Sequence, residues 1–348
     1  MRKNSKLTVV VGGQYGSEGK GHVAAQLTKW NTMTCRVAGP NAGHTVHRDG
    51  HKYQLRQIPA AAVCSESPII IAQGSEIDLD VLEEEVELLD SRGLNASKRL
   101  HIDPQATIIR QQDKDLETEL VGRIGSTGKG IGAARAARLM REAPLYGEDR
   151  PWAIKGTSAS ELMMRWMTNG GHVLIEGTQG YGLGLHAGDY PQCTSSDCTA
   201  IDMLSMAGLS PWDHWIDELQ VVVVLRVYPI RVAGESGPLE GETSWEALGL
   251  NPEYTTVTKL ERRVGQWDAD LAMSAVNANG GGAGCEIALT MVDQILPDVN
   301  FLDEYYYSSV TDLPPEAQEL VGMVEAHSNA NVRWLGVSPN RLIKIGDH

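Results

Sequence analysis

The stretch VVVGGQYGSEGKGH, Val9 to His22, decides how the chain reads. Three valines run into glycines at positions 12, 13, 16, 19 and 21, and a helix opens after them. A strand, a glycine-rich loop and a helix in that order suit an anion. Glycines let backbone amides approach it, the helix N-terminus adds partial positive charge, and Lys20 supplies a point charge. The common phosphate-loop pattern G-x-x-x-x-G-K-S/T does not fit. Gln14 holds its first glycine position, and Gly21 stands where the Mg2+-binding hydroxyl belongs. Five glycines around one lysine still exceed what a bare turn requires.

Further apolar, β-branched runs recur from Ile69 (IIIA), His172 (HVLIE), Gln220 (QVVVVLRV) and Glu286 (EIALTMV). Continuous apolar runs, in place of alternation, are what buried parallel strands look like. Helical patterns separate them: LDVLEEEVELLD from Leu79, GAARAARLMRE from Gly132, SASELMMRWM from Ser158 and PPEAQELVGMVEAH from Pro314. The alternation predicts an α/β fold with a central, mostly parallel sheet flanked by helices, and ligands beyond the carboxyl ends of its strands. NGGGAG, from Asn279 to Gly284, reads as a flexible turn too short to separate domains. One domain over residues 1–348 is the expectation.

The chain has 348 residues, 30 Lys plus Arg and 45 Asp plus Glu, a formal charge of −15. So acidic a surface repels phosphate backbones and anionic lipid, which argues against nucleic-acid and membrane partners, whereas a local cluster of donors can still hold a small anion. The five cysteines are scattered with no C-x-x-C pair, so reduced thiols in a cytoplasm are expected. The apolar run after MRKNSK is too short for a signal peptide, and no stretch of ~20 apolar residues is present.

Several ordered motifs resemble one family. GGQYGSEGKGH is similar to the G-x-W-G-D-E-G-K-G-K loop of adenylosuccinate synthetases, and RVAGPNAGHTV (Arg36 to Val46) to their N-A-G-H-T signature. IGSTGKGIG (from Ile124), LIEGTQG (from Leu174), GDYPQCTSSD (from Gly188), RRVG (from Arg262) and LTMVD (from Leu289) follow in the family's order. The likeness covers essentially the whole chain. It implies an adenylosuccinate-synthetase-like fold and a C–N ligase. In that chemistry a nucleoside triphosphate phosphorylates the 6-oxygen of a purine nucleotide, and the amine of L-aspartate then displaces phosphate, with Mg2+ as cofactor.

Two departures point to a subfamily. Ser17 stands where the family loop carries Asp, and the family's T-T-G-R-x-R-R loop reads TTVTKLERR here, Thr255 to Arg263. Both are similar to the phage-type branch that joins aspartate to dGMP, using ATP or dATP, and so makes N6-succino-2-amino-2'-deoxyadenylate for 2-aminoadenine. An Asp in that loop resembles a general base for a 6-oxopurine. A Ser is no base unaided at pH 7, but it is smaller and leaves room beside a 2-amino group. A helix N-cap is the plainer role for such a serine.

The resemblance also distributes roles. Ser17 and His44 are the catalytic positions, His44 as the acid at the 6-oxygen. Gly16, Ser17, Glu18, Gly19, Lys20, Gly21, Gly43, His44, Thr45, Asp293, Gly336, Val337 and Ser338 fall to the triphosphate. Ser17, Asn41, Ser126, Thr127, Arg141, Gln179 and Thr194 fall to dGMP. Thr256, Thr258, Arg262 and Arg263 fall to aspartate, where arginine forks suit carboxylates. Ser17 and the Gly43 carbonyl fall to Mg2+. Arg141 falls where the family supplies an arginine from a neighbouring subunit, implying a homodimer, while Arg135 and Arg138 read as a solvated basic stripe. Leu260 replaces a family arginine that reaches the ribose 2'-side, which suits a deoxyribose. Asp293 aligns with a guanine-reading Asp, leaving the donor open among ATP, dATP and GTP. Glu18, water or the substrate phosphate remain as proton acceptors in place of Asp. An ordinary synthetase using IMP and GTP is the nearest alternative, and a nucleotide-binding switch without ligase chemistry a more distant one.

Overall fold

The computed structural model describes residues 4–147, 158–255, 260–301 and 306–346. Its backbone is a ten-stranded sheet. In chain order the strands used below are β1 (Lys6–Gly12), β2 (Thr32–Arg36), β3 (His44–Arg48), β4 (His51–Leu55), β5 (Ile69–Ile71), β6 (Leu100–Ile102), β7 (His172–Glu176), β8 (Glu218–Arg226), β9 (Glu286–Thr290), β10 (Tyr306–Tyr307), β11 (Val332–Ser338) and β12 (Arg341–Ile345). The sheet order is β10-β12-β11-β9-β8-β1-β7-β2-β5-β6, while β3 and β4 form a separate hairpin. Every neighbouring pair is parallel except β11 with β12. The mostly parallel α/β sheet expected from the apolar runs is the one observed.

The runs are continuous because both faces are covered. Leu7, Val9, Val11, Val223 and Leu225 pack with Met163, Met203, Leu204, Ala275 and Val321, residues of helices Ala159–Thr168, Ala200–Ala207, Ala269–Ala278 and Pro315–Ser328. The alternate residues Val10, Val222 and Val224 pack the other way, with Val23 and Ala24 of α1 (Lys20–Leu27). Successive side chains of a strand point to opposite faces, so a strand buried on both sides has no polar position until its end.

Those ends are where charge enters. At the carboxyl ends of β9 and β8 on one side of β1, and of β7 and β2 on the other, stand Thr290, Arg226, Glu176 and Arg36, each at most 2% exposed. Arg36 lies in register with Glu176, and Arg226 with Thr290. At Gly12, between them, a β-carbon would lie 2.7 Å from Glu18 Oε2 and 2.8 Å from Lys20 Nζ.

Two expectations need correction. NGGGAG is no loose turn: Gly281–Gly284 make a helical turn, and the buried Asn279 side chain accepts from the Ala200 amide (2.7 Å) and donates to the Ala275 carbonyl (2.8 Å). Arg135, in Ile131–Met140, is not a solvated charge. It pairs with buried Glu76 at 2.7 Å and donates to the Ser195 carbonyl at 2.9 Å. Its neighbour Arg138 does face solvent, donating to Gln105. The cysteines described are all free. No helix among the described residues is long and apolar enough to cross a membrane.

Candidate active site

A cavity of about 690 Å³ opens beyond the carboxyl ends of the central strands. Its wall collects Gly16, Ser17, Gly19, Lys20, Gly21, Asn41, Gly43, His44, Thr45, Ser126, Thr127, Gln179, Thr194, Arg262, Asp293, Gly336 and Ser338, so segments far apart in sequence meet there. Glu18 and Val337 are not on the wall: Glu18 is fully buried under the loop, and Val337 packs against the core. Arg141 is also outside it, exposed at the end of Ile131–Met140. Arg263 is absent from the wall too, because its guanidinium is held by the Glu242 carboxylate, Ser236 Oγ and the Gly237 carbonyl. Thr256 and Thr258 lie outside the described residues.

The glycine-rich loop is built on Glu18. One carboxylate oxygen accepts from the amides of Gln14 (3.1 Å) and Gly16 (2.8 Å), and the other pairs with Lys20 at 2.6 Å. Gly19, at φ 90°, turns the chain into α1 without a side-chain cap, so the first amides of that helix have no partner within it. Ser17 is therefore not the helix N-cap. It has φ 58°, its carbonyl accepts from Arg226 Nη1 (3.2 Å), and its hydroxyl accepts from Arg262 Nη1. Gly21 is required for contact: a β-carbon there would lie 2.7 Å from the His44 β-carbon. That close approach explains why no Ser or Thr follows Lys20.

His44 begins β3 and its ring reaches back to the strand ends. Nδ1 lies 2.5 Å from Glu176 Oε1, which also accepts from Arg36 Nη1 at 2.7 Å and the Ala60 amide at 3.0 Å. The second Glu176 oxygen accepts from the Ala61 amide at 3.0 Å. Burial, with Arg36 beside it, holds the imidazole down at about 4 against the pull of Glu176. Burial alone would raise the Glu176 carboxyl, but His44, Arg36 and the Ala61 amide bring it to about 2. The resting pair is thus a neutral imidazole, Nδ1–H toward a carboxylate, with Nε2 left for chemistry.

Ser126 Oγ accepts from the Gly128 amide at 3.2 Å. Beside it, Glu117 occupies the start of Ile131–Met140, accepting from the amides of Gly130 (2.7 Å) and Gly132. Asp293 follows Thr290 in a short turn, and burial raises its carboxyl above the usual range while Arg226 pulls the other way.

The sequence alone gives no role to Arg36, Glu176, Arg226, Arg231, Glu117 or Glu253. Arg231 is a largely buried part of the wall, its guanidinium 3.8 Å from the Tyr15 ring centroid and paired with Asp189 at 2.5 Å. One signal was available: HVLIE and VVVVLR each end an apolar run on a charge, and such a charge is buried at the ligand end of a parallel sheet. Of the histidines left without a role, His22 and His47 line the cavity, while His51 and His186 are exposed.

Among the described residues no cluster of three or more His, Cys, Asp or Glu could hold a metal. The oxygen donors named for Mg2+ are the Ser17 hydroxyl and the Gly43 carbonyl. The carbonyl fits a hard cation that keeps water and phosphate ligands, whereas the hydroxyl already faces the Arg262 guanidinium.

A cavity at the switch between sheet halves, with a glycine-cradled lysine on one side and a carboxylate-oriented histidine on the other, defines a nucleotide-dependent α/β enzyme. The family model described as adenylosuccinate synthetase matches residues 9–148 and 153–300. The chain belongs to the adenylosuccinate synthetase family and is a ligase that forms a C–N bond. It is 38% identical over 339 residues to the adenylosuccinate synthetase of Methanococcus aeolicus, covering 95% of this chain and 96% of that one. With the enzyme of Pyrococcus horikoshii it shares 34% over 340 residues, 95% of each. Among solved structures it is similar to the cyanophage S-2L succinoaminodeoxyadenylate synthetase (PurZ) bound to dGMP and dATP as an energy donor. That likeness has a TM-score of 0.78 at 29% identity, over 98% of this chain and 95% of that one. The fully ligated Plasmodium falciparum adenylosuccinate synthetase shares the fold, with a TM-score of 0.82 at 21% identity, over 97% and 99% of the two chains.

Proposed function

We propose that the chain joins L-aspartate to C6 of dGMP at the expense of ATP or dATP, giving N6-succino-2-amino-2'-deoxyadenylate. The observation that carries this reading is Ser17, a neutral hydroxyl on the cavity wall at the position where the loop it resembles has a carboxylate base. Its oxygen is an acceptor suited to an exocyclic 2-amino group, and it takes less room than Asp. The likeness to the cyanophage enzyme supports the same substrate.

In this reading Lys20, with the amides opening α1, binds the triphosphate. His44, neutral at rest, presents Nε2 to the purine 6-oxygen. As the 6-oxygen becomes the nucleophile, purine N1 gives up its proton to water; the negative charge gathering on the 6-oxygen and the transferring phosphoryl group favours the imidazolium, so that proton is taken up at Nε2, and the buried Glu176 carboxylate stabilises the charged ring. Ser126, Thr127 and Thr194 hold the 5'-phosphate, with Arg141 of a second subunit. Asn41 and Gln179 contact the purine. Arg262, with Thr256 and Thr258, takes an aspartate carboxylate as a fork, and Arg263, committed to Glu242, orients that loop from behind. Gly336, Val337, Ser338 and Asp293 frame the triphosphate's base. Adenylosuccinate synthetases generally use Mg2+; held by the Gly43 carbonyl and phosphate oxygens, it would neutralise charge on the transferring phosphoryl group.

A second reading, adenylosuccinate synthesis from IMP and GTP, is favoured by the 38% identity to an archaeal enzyme of that name. Mass spectrometry of products from equimolar dGMP and IMP, with aspartate and ATP, separates the two. The dGMP adduct is expected to dominate. Ser17→Asp is expected to shift the IMP-to-dGMP ratio of kcat/KM by ~100-fold toward IMP. Unchanged dGMP turnover in that variant overturns the substrate assignment.

A further inference from the structure

Directly behind Ser17, around the buried Arg226, lies a polar cluster that the proposed chemistry does not use. Arg226 closes the apolar strand β8, and its backbone is clamped both ways by one side chain: its amide donates to Gln14 Oε1 (2.9 Å), and its carbonyl accepts from Gln14 Nε2 (3.0 Å). Its guanidinium is 0% exposed and fans out to three segments. Nη1 donates to the Ser17 carbonyl (3.2 Å) and Glu253 Oε2 (3.2 Å), and Nη2 to Glu253 Oε1 (2.5 Å) and Gln294 Oε1 (3.3 Å). Gln294 Nε2 returns a bond to Glu253 Oε1 at 3.1 Å. The Glu253 carbonyl accepts the Arg262 amide at 2.8 Å, and Arg262 Nη1 donates to Ser17 Oγ. The bonds close a ring: Ser17, Arg226, Glu253, Arg262 and Ser17 again, with Gln294 and its neighbour Asp293 tied in from the far side.

We propose that Arg226, with Glu253 and Gln294, is a positioning latch that couples the nucleoside-triphosphate subsite to the dicarboxylate amino-acid subsite. The proposal rests on the assignment of the glycine-rich loop to triphosphate and of the Arg262 loop to aspartate. A planar guanidinium with two forked ends is the group that can bind a carbonyl, a carboxylate and an amide at once; a lysine in its place carries the charge without the fork. The ring has a cost that a purely structural strut would avoid. A buried ion pair gains little over apolar packing, and Arg226 Nε has no partner among the described residues. What the ring secures is register. Ser17 cannot shift toward a bound triphosphate without moving Glu253, and with it the amide and guanidinium of Arg262. Binding at either end therefore pre-orders the other, and the coupling is reciprocal.

The test measures aspartate KM at low and at saturating ATP, with dGMP fixed, and ATP KM at low and saturating aspartate. In the unmodified enzyme each substrate is expected to lower the other's KM about fivefold or more. Arg226→Lys is expected to raise both KM values about tenfold and to abolish the mutual dependence, with kcat changed less. Should Arg226→Lys not fold, Gln294→Leu cuts only the Asp293 side of the latch and is expected to weaken the same dependence. Glu253→Gln retains the shape and some of the hydrogen bonding and is expected to fall between. Absence of mutual dependence in the unmodified enzyme, or its survival in folded Arg226→Lys or Gln294→Leu, overturns the latch. Arg262→Ala separates that failure from failure of the underlying assignment. A raised aspartate KM in Arg262→Ala with intact coupling in Gln294→Leu rejects the latch alone, while an unchanged aspartate KM in Arg262→Ala rejects the subsite assignment.

Discussion

Ser17 sits at φ 58°, a conformation that side chains with a β-carbon adopt rarely and that Asp and Asn tolerate better than most. Exchanging Ser17 for Asp therefore changes charge without asking the loop for a new backbone, and its effect on substrate choice is a clean readout. His44 yields a second residue-scale prediction, through stability. Its folded pKa of about 4 lies below the ordinary 6.5, so between those values the unfolded chain binds the extra proton. Stability is accordingly lost as pH falls from 6.5 toward 4 and is flat above 6.5; the contribution is about 2 kcal/mol at pH 5. Glu176 works in a lower window, since a carboxyl depressed to about 2 loses its stabilising charge only as pH drops below 4.5. Thermal melts at pH 7 and pH 5 should show a smaller fall in Tm for His44→Gln than for the unmodified protein. Equal falls would mean that His44 is not the buried neutral group. Neither shift was legible in the sequence, because both depend on Arg36 and Glu176, which approach His44 only once β2 and β7 lie side by side in register.

At the scale of elements, the sequence was legible where a run was long and uniform. Lys6–Gly12, His172–Glu176, Glu218–Arg226 and Leu79–Ser91 fall where valine-rich stretches and helical spacing place them. It was less legible where tertiary context decides. Val332–Ser338 and Arg341–Ile345 mix Arg, Trp, Gly and Lys, and they become strands because β9 and each other supply their ladders. The loop at Ser126 carries its nucleotide role through the resemblance of IGSTGKGIG to a family motif. The structure adds Glu117, a carboxylate from Gln111–Ile124 that holds the next helix start. Removing it in Glu117→Ala leaves those amides without their cap and should cost about 1–2 kcal/mol, visible as a lower midpoint in urea with an unchanged slope. Gly21→Ala tests the packing of α1 on β3. A β-carbon 2.7 Å from that of His44 requires the helix or the hairpin to move, so a loss of about 1–3 kcal/mol is expected, with kcat falling more steeply than in Gly322→Ala, whose β-carbon would meet no atom within 4 Å. Equal kcat in the two variants would show that the contact does not position His44.

For the whole molecule, the acidic balance of −15 coexists with a cavity wall that carries Lys20, Arg231 and Arg262. Net charge thus disfavours nucleic acid while the local field still draws phosphates and carboxylates, two facts that the composition alone could not reconcile. The same scale bears on Arg141. Its side chain is exposed and donates to the carbonyl of Leu139, two residues back, and Leu139 and Met140 beside it are 73% and 67% exposed. A cation outside its own cavity and next to uncovered apolar surface fits the inference that it serves a site on a second copy. Closed twofold symmetry would then place each copy's Arg141 at the other's cavity. Shared sites permit complementation. Arg141→Leu and His44→Ala should each be nearly inactive, yet mixing the two under conditions that exchange subunits produces heterodimers in which one of two sites is intact, about a quarter of the unmodified activity at random exchange. Activity that stays at the level of the separate variants, with exchange verified by mass, would show that Arg141 does not serve a second copy's site and leave the cavity complete within one chain.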